Sequence, residues 1–295
     1  MSRLIIDAHN HVNWVGTTTD QYIANMDKYG IDIMWALSWE AFPDEFATTY
    51  YSSFQPGNLG MPFSNILEAR SKYPDRIVAG YCPNPRDPYA VEKLKSAHHF
   101  GARVCGEWKF RVMFDNPDTI AIYRLAGELK MPITLHLDIC LQPGSREHWY
   151  GGTLDSVIRA VEACPEANFI GHAPGFWRYI SGDADQTADA YPKTPVTPGG
   201  RLFSLLEKYP NLYADISAGS GATALSRTPS VGREFVLKFQ DRLVYGRDFT
   251  DNRHQEILAS LDLPAAVLDK LYFQNALKLA PLPDNPIVQR KLATK

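Results

Sequence analysis

The sequence predicts one α/β domain folded as a distorted (β/α)8 TIM barrel, and three observations lead to this prediction. Eight short apolar runs alternate with helical patterns along the whole chain, which is typical of a parallel sheet covered by helices. The length of 295 residues suits a single barrel, because such domains run to roughly 250 residues or more. The longest connections all follow predicted strands, as the catalytic loops of a barrel do.

The predicted strands are nearly continuous in apolar residues, as expected of strands buried on both faces. Each is bounded by proline, glycine or polar residues, which mark its ends. In chain order they are Leu4–Asp7, Ile31–Ser38, Ile77–Tyr81, Ala102–Phe110, Pro132–Leu137, Asn168–Gly171, Leu212–Ile216 and Arg242–Tyr245.

Helical patterns separate the strands and carry the usual end signals. Asp87 and Asn116 each precede a proline, which is a favourable N-cap and first-turn sequence. A Lys-Tyr-Pro sequence beginning at Lys72, and another at Lys208, closes a helix and leads into the next strand. The predicted helices are Asp20–Tyr29, Phe63–Lys72, Pro88–His99, Pro117–Lys130, Thr153–Ala163, Gly200–Lys208, Ser230–Gln240 and Pro264–Leu279.

Long loops are predicted after strands 2, 6 and 7, at Trp39–Pro62, Ala173–Gly199 and Ser217–Pro229. Because each follows a strand, all three would cover the C-terminal face of the barrel, where barrel active sites lie. An open doubly wound sheet is the alternative, but no glycine-rich dinucleotide-binding loop follows the first strand. No repeat or linker divides the chain, so residues 1–295 are predicted to form one domain.

Composition and charge narrow the class of protein. A net charge of −3 and a pI near 6.2 give no sign of a surface for nucleic acid or anionic membrane. No segment has the ~18 consecutive apolar residues that a membrane-spanning helix needs, and no signal peptide precedes Asp7. The four cysteines contain no CxxC pair and are expected to be reduced. We therefore expect a cytoplasmic protein that acts on a small molecule.

The most informative segment is the first strand, which ends in the sequence Asp7-Ala-His9-Asn-His11. Side chains two residues apart on a strand project from the same face. His9 and His11 can therefore converge on one metal ion, as imidazole ligands of zinc do. A chance pair of histidines at a strand end is the alternative reading of this motif alone.

Further metal-binding side chains fall at the ends of other predicted strands. Strand 5 ends in His136 and strand 6 is followed by His172, while Asp248 follows strand 8. Glu107 and Lys109 lie on one face of strand 4. The chain has eight histidines, and four of them occupy strand ends at the predicted catalytic face, which favours a metal site over chance placement.

Taken in order, His9-x-His11, His136, His172 and Asp248 resemble the site residues of the amidohydrolase superfamily, most closely its amidohydrolase-related branch of metal-dependent hydrolases and decarboxylases. The resemblance implies that His9, His11, His136 and Asp248 contact a divalent metal. It also implies that His172 is a catalytic acid/base near the metal in decarboxylase-like members, or a ligand of a second metal in binuclear hydrolases.

The number of metal ions depends on strand 4. The Gly-Glu sequence at Glu107 is similar to that of the TatD-like nucleases, in which a glutamate on this strand bridges two ions. Lys109 could instead be a carboxylated bridging lysine, as in other members of the superfamily. A salt-bridged pair that only fills the barrel is the remaining alternative. The expected cofactor is one or two divalent ions, with zinc preferred and manganese as the alternative.

The predicted chemistry is hydrolysis of a C–O or C–N bond of a lactone, ester or amide by metal-activated water. Asp248 would take the proton from that water, and His172 would stabilise or protonate the developing oxyanion. The alternative is a non-oxidative decarboxylation or a hydration by a lyase. A metal-free lactonase and a non-catalytic binding barrel complete the set of interpretations.

The substrate is predicted to be a small cyclic or aromatic acid. Aromatic residues in the strand-end loops, among them Trp39 and Trp177, offer flat apolar walls. Arg111, Arg146 and Arg178 follow strands 4, 5 and 6 and could bind a substrate carboxylate, with Lys109 beside them. Packing within the loops or in a homodimer interface is the alternative role of the aromatic residues.

Overall fold

A computed structural model describes residues 3–40, 61–139, 151–187 and 189–293 of the chain. Its eight parallel strands form two sheets in sequence order, β1–β3 and β4–β8. In chain order the strands are β1 Ile6–Asn10, β2 Ile33–Leu37, β3 Ile77–Gly80, β4 Cys105–Trp108, β5 Ile133–His136, β6 Phe169–His172, β7 Leu212–Asp215 and β8 Leu243–Val244.

Backbone contacts at two seams join these sheets into a closed barrel. A parallel bridge between Gly80 and Val104 links β3 to the start of β4. On the opposite side, Ala8 donates its N–H to the carbonyl oxygen of Tyr245 over 2.8 Å, which links β1 to the end of β8. The predicted (β/α)8 fold is therefore confirmed, and the last strand lies beside the first.

Helices follow the strands and cover the outside of the barrel. The first, α1, begins at a capping box in which Thr18 and Gln21 satisfy each other's backbone N–H groups. The helix predicted from Pro88 begins two residues later, at Ala90. The helices are α1 Thr19–Lys28, α2 Phe63–Lys72, α3 Ala90–His99, α4 Pro117–Glu128, α5 Leu154–Ala163, α6 Pro174–Trp177, α7 Arg201–Lys208, α8 Ala218–Ser226, α9 Pro229–Lys238, α10 Arg253–Ser260, α11 Ala265–Asp269, α12 Asn275–Leu279 and α13 Pro286–Leu292.

The connection after β7 contains helix α8, where the sequence predicts a loop. Its sequence, Ala-Gly-Ser-Gly-Ala-Thr-Ala-Leu-Ser, has weak intrinsic helix propensity. The helix forms against the end of β7, where a Cβ atom on Gly221 would lie 2.2 Å from the carbonyl oxygen of Ile216. Glycine is needed at this close approach, and tertiary packing overrides the local preference.

The closing segment and the loops also differ in detail from the prediction. The helix predicted over Pro264–Leu279 is divided by a π-helical turn at Lys270–Gln274, and α13 extends beyond it. The predicted loop after β6 contains α6 and two 3₁₀ turns, at Arg178–Ile180 and Ala184–Gln186. Among the described residues, no helix is both long and apolar enough to cross a membrane.

The strand register places the candidate metal-binding residues at the same height along the barrel axis. His136 of β5 pairs directly with His172 of β6, so their rings lie side by side at the C-terminal end of the barrel. The β1 strand is longer than predicted and runs to Asn10, which carries His9 into the barrel wall and leaves His11 immediately after it. The fold thus gathers at one end the strand ends that the sequence singles out.

Candidate active site

Six predicted side chains meet inside the C-terminal end of the barrel. Three overlapping groups have ligand atoms within 4.8 Å of one another, and each could hold a metal ion. The overlap means that neighbouring groups share His9, His172 or Glu107. The three groups are His9 with His172 and Asp248, His9 with His11 and Glu107, and Glu107 with His136 and His172.

The two β1 histidines are held from behind through Nδ1. His9 Nδ1 lies 2.8 Å from Asp215 Oδ2, and His11 Nδ1 lies 2.9 Å from the carbonyl oxygen of Leu37. Both partners can only accept, so each Nδ1 carries the proton, and in the neutral imidazole each Nε2 keeps its lone pair. Metal-binding histidines are commonly oriented in this way, by a hydrogen bond from the ring nitrogen that faces away from the ion.

The free Nε2 atoms of these histidines face carboxylate oxygens. His11 Nε2 lies 3.3 Å from Asp248 Oδ1 and 3.5 Å from Glu107 Oε2. His9 Nε2 lies 3.8 Å from both carboxylates. In the part of the chain that the structure describes, His9 Nε2 is buried and has no hydrogen-bond partner. A buried nitrogen lone pair between two carboxylates fits a divalent cation, whose charge would satisfy all three groups.

His172 and His136 complete the ring of donors. His172 Nδ1 lies 3.0 Å from Asp215 Oδ1, while its Nε2 lies 3.6 Å from Glu107 Oε1 and 3.7 Å from Asp248 Oδ2. His136 Nδ1 lies 2.5 Å from Glu107 Oε1. Glu107 therefore directs one oxygen toward His136 and the other toward His11, so it stands between the two sides of the site.

Asp215, at the end of β7, is a central site residue that the sequence analysis misses. Its two oxygens face His9 and His172, and Ser217 donates a hydrogen bond to Oδ1. The sequence does carry a signal for this residue, since Asp215 ends the strand sequence Leu-Tyr-Ala-Asp. Burial opposes ionisation of Asp215, but His172 and His9 hold its pKa well below the ordinary value.

Electrostatics favour ionised carboxylates and a charged His172. Burial lowers the pKa of His172, but the Asp215 carboxylate outweighs it and raises that pKa to about 9. For Glu107, burial is likewise outweighed, by His136 and Lys109, and the pKa falls well below its ordinary value. The pKa of Asp248 is also lowered: burial opposes ionisation, and the close contact with the His11 imidazole more than offsets it.

Of the residues predicted to contact substrate, Lys109 and Trp39 lie beside the site. Lys109 Nζ lies 4.7 Å from the centre of the Trp39 ring, and its charge acts on both Glu107 and His136. Arg111 is half-buried, and its Nε and Nη2 atoms have no hydrogen-bond partner among the described residues. Substrate contacts by Lys109, Trp39 and Arg111 stay predictions.

Trp177 and Arg178 are engaged elsewhere in the structure. Trp177 is 1% exposed, and its indole N–H donates to the carbonyl oxygen of Asp215 over 2.8 Å. Arg178 Nη2 donates to the carbonyl oxygens of Ala184 and Thr187 in its own loop. Trp177 therefore packs in the core, and Arg178 binds the backbone of its own loop; their substrate contacts stay predictions. Arg146 lies outside the described residues.

An aromatic pair that the sequence analysis does not name lies next to the metal-binding side chains. The Trp14 ring lies 4.9 Å from the His11 ring and 5.1 Å from the Phe249 ring, centre to centre. Phe249 directly follows Asp248 and is 45% exposed. Proximity in sequence to His11 and Asp248 could have pointed to both. They form an apolar wall on the β1–β8 side of the site.

Comparison with solved structures shows the same fold in enzymes of low sequence identity. A probable 2-pyrone-4,6-dicarboxylic acid hydrolase from Acinetobacter baumannii, solved with citric acid bound, matches with a TM-score of 0.60 and 15% identity, covering 93% of this chain and 98% of that one. The 2,6-dihydroxybenzoate decarboxylase from Rhizobium matches with a TM-score of 0.58 and 16% identity, covering 94% and 98%.

A third structure contains a metal. The 5-carboxyvanillate decarboxylase from Novosphingobium aromaticivorans, complexed with manganese and 4-hydroxy-3-methoxy-5-nitrobenzoic acid, matches with a TM-score of 0.52 and 18% identity, covering 87% of this chain and 78% of that one. No curated protein sequence matches the chain significantly.

The match to a family model is the broadest comparison in sequence. The Amidohydro_2 model, described as amidohydrolase, matches residues 6–282. That range extends from the start of β1 past the end of α12 and contains every residue of the site described above. The chain therefore belongs to this amidohydrolase family.

Proposed function

We propose that the protein is a metal-dependent hydrolase that cleaves a C–O or C–N bond of a small cyclic or aromatic acid, such as a lactone, ester or amide. The observation that carries the proposal is the buried Nε2 atom of His9, which faces Glu107 and Asp248 without a hydrogen-bond partner among the described residues. Asp215 fixes this orientation from behind. A divalent cation bound there would accept the lone pair of His9 Nε2 and neutralise the two carboxylates.

The donor set suits zinc or manganese, and the ligands would be His9, His11, His136, Asp248 and Glu107. When bound, a divalent cation supplies Lewis-acid chemistry, since it polarises a carbonyl oxygen and lowers the pKa of water. Glu107 faces His136 with one oxygen and His11 with the other, so it is placed to contact either one ion or two.

The chain's own residues supply the proton transfers. The Asp248 carboxylate lies 3.3 Å from His11 Nε2 and 3.8 Å from His9 Nε2, with 14% of its side chain exposed. An ionised carboxylate there can accept a proton from attacking water. His172 is backed by Asp215 through Nδ1, which stabilises the protonated imidazole, so Nε2 can donate to the developing oxyanion or leaving group.

Substrate selection would fall to the groups around the mouth. Lys109 offers a positive charge beside the Trp39 ring, which suits a carboxylate attached to a flat ring. Trp14 and Phe249 provide an apolar wall on the β1–β8 side. A small planar acid would place its carboxylate near Lys109 and its ring against an aromatic face.

Decarboxylation of an aromatic acid is the second candidate. The His172–Asp215 pair favours it, because a carbon left by departing carbon dioxide must receive a proton from a charged imidazole or its equivalent. The structural likeness to two decarboxylases gives further support. In this reaction Asp248 would have no water to activate. The two candidate reactions can be distinguished by their products, which are an acid for hydrolysis and carbon dioxide for decarboxylation.

The test combines metal analysis with product analysis. Purified protein is expected to hold one or two equivalents of zinc or manganese, and His9→Ala should lose them. His99→Ala, on the surface of α3, is the matched control and should keep them. On a panel of lactones, esters, amides and aromatic carboxylic acids, acid release would support hydrolysis and carbon dioxide release would support decarboxylation. Unchanged turnover by metal-free protein would overturn the proposal.

A further inference from the structure

We propose that Arg247 is a positioning residue which, through a buried ion pair with Asp7, sets the Asp248 carboxylate against the β1 histidines. The inference rests on the proposed function in one respect, because the group it positions is the carboxylate assigned to metal binding and proton transfer. Neither Asp7 nor Arg247 touches the proposed metal site directly; their contacts run through the backbone on either side of it.

The pair joins the two strands that supply most of the metal site. Both side chains are fully buried, and Arg247 Nε lies 2.8 Å from Asp7 Oδ2. The backbone N–H of Arg247 donates to the other oxygen, Asp7 Oδ1, over 2.9 Å. Asp7 precedes His9 by two residues on β1, and Arg247 directly precedes Asp248 after β8. The ion pair therefore lies across the seam that closes the barrel.

Two asparagines extend this contact to the backbone on both sides of the seam. Asn10 Nδ2 donates to Asp7 Oδ2 over 2.9 Å and to the carbonyl oxygen of Phe249 over 2.8 Å. Its Oδ1 accepts the N–H of His11 over 2.9 Å. The same residue therefore contacts the ion pair, the backbone of His11 and the residue after Asp248.

The second asparagine lies on helix α1 and holds the loop from outside. Asn25 Oδ1 accepts a hydrogen bond from Arg247 Nη1 over 2.7 Å. Its Nδ2 donates to the carbonyl oxygen of Thr250, also over 2.7 Å. Arg247 and Asn25 thus secure the backbone before and after Asp248 to a helix that contributes no ligand.

Such support is needed because Asp248 has a left-handed backbone. Its φ is +56°, a conformation that residues other than glycine adopt infrequently. The same backbone lets its N–H donate to the carbonyl oxygen of His9 over 2.8 Å and brings Oδ1 to 3.3 Å from His11 Nε2. If the loop relaxed to a negative φ, the carboxylate would leave this position.

The Asp7–Arg247 pair contributes more to positioning than to the stability of the fold. A buried ion pair seldom stabilises a fold more than well-packed apolar residues would, because desolvation offsets its attraction. Orientation is different, since the pair and its asparagines fix two segments through directional hydrogen bonds that an apolar contact cannot supply. The double replacement should therefore affect the site more than the fold.

The test replaces both charges together so that neither is left buried and unpaired. In Asp7→Asn/Arg247→Met, we expect metal affinity to fall by about 10-fold or more, as when other groups that orient metal ligands are lost. We also expect kcat to fall while KM changes little. Backbone amides of residues 247–250 should exchange faster with deuterium. The matched control is Arg3→Met/Asp269→Asn, which removes an ion pair of 2.7 Å between the N-terminal segment and α11. It should leave metal affinity and amide exchange in 247–250 unchanged.

Wild-type metal affinity and unchanged amide protection in the Asp7/Arg247 double variant would overturn the inference, even if its melting temperature fell. If the wild type itself held no metal, the proposed function would fail, and amide exchange in 247–250 would decide the positioning role alone. Should the double variant not fold, Arg247→Lys keeps the charge near Asp7 and loses the fork that reaches Asn25. Partial loss of metal affinity and faster exchange in Arg247→Lys support the inference, and wild-type values contradict it.

Discussion

His9 and His172 share one carboxylate. Their rings lie 4.1 Å apart, and their Nδ1 atoms lie 2.8 and 3.0 Å from the two oxygens of Asp215. One buried aspartate therefore sets the tautomer and orientation of two imidazoles that have different proposed roles, His9 as a metal ligand and His172 as an acid/base.

We expect Asp215→Asn to damage both histidines. An asparagine amide offers one acceptor and one donor and carries no charge, so one histidine must turn its proton to Nε2 while the other keeps only a neutral acceptor. The first change blocks cation binding if it falls on His9, and the second weakens the support of the ring. Metal affinity should fall about 10- to 100-fold, measured by competition with a chelating dye. Asp155→Asn, which loses an exposed ion pair with Arg201, is the control. Wild-type affinity in Asp215→Asn would contradict the shared role.

Metal removal should lower stability. A cation that binds only the native state at 100 times its dissociation constant adds about 2.7 kcal/mol to the free energy of unfolding. Chelation should then lower the melting temperature by about 5–10 °C, given 2–4 °C per kcal/mol in large domains. Calorimetry with and without chelator measures this change. Chelator should not lower the melting temperature of His9→Ala, because that variant is expected to hold no metal. Equal melting temperatures for treated and untreated wild type would speak against a tightly held ion.

The fold and the convergence of the candidate metal-binding side chains could be predicted because they depend on local patterns. Apolar runs of strand length, separated by helical patterns, place His136, His172 and Asp248 at strand ends whatever the details of packing. Asp215 could not be identified in this way, since its role depends on β7 lying beside β6 and on which imidazole nitrogens face outward. Helix α8 was not predicted because it also depends on tertiary contacts: its packing against the end of β7 outweighs its weak helix propensity.

Roles in the loops were harder to predict than roles at strand ends. Trp177 is an aromatic residue in the loop after β6, which is why the sequence analysis places it against the substrate. In the structure its ring packs near Phe176 and Phe235. A sequence shows which residues are near a strand end, but the direction of a loop side chain depends on the path of the loop. Other aromatic residues of the loops after β2 and β5 lie outside the described residues, namely Phe42, Phe46, Tyr50, Tyr51, Phe54, Trp149 and Tyr150.

Trp177→Phe should therefore affect stability rather than substrate binding. Phenylalanine keeps an apolar ring but leaves the carbonyl oxygen of Asp215 without the indole N–H. Together with the lost volume, this should cost about 1–3 kcal/mol, measured by urea unfolding, with KM unchanged. Lys109→Met is the contrasting variant and should raise KM for an acid by about 10-fold or more, because a charged hydrogen bond contributes about 1.5–3 kcal/mol. A higher KM in Trp177→Phe, with stability unchanged, would contradict this expectation and support a substrate contact for Trp177.

Asn275→Ala should destabilise the barrel closure without altering the site. Asn275 is buried, and its Nδ2 donates to the carbonyl oxygens of Gln240 and Leu243, each over 2.7 Å. Loss of both bonds leaves two acceptors unsatisfied and should cost about 2–4 kcal/mol. The comparison is Asn285→Ala, which removes the N-cap of α13 and should cost about 1 kcal/mol. Metal affinity should stay at the wild-type value in both, and a smaller loss for Asn275→Ala than for Asn285→Ala would contradict the prediction.

His172→Gln and Glu107→Gln should separate acid/base chemistry from metal binding. His172 Nε2 is 3.6 Å or more from the nearest carboxylate oxygens, and Asp215 Oδ1 holds its Nδ1. We therefore expect His172→Gln to lose at least about 100-fold in turnover, the usual contribution of a general acid or base, with metal content unchanged. Glu107→Gln removes a charge from the middle of the donor ring and should lower metal content itself. Elemental analysis of both variants measures the difference, and loss of one equivalent in His172→Gln would make His172 a ligand of a second ion.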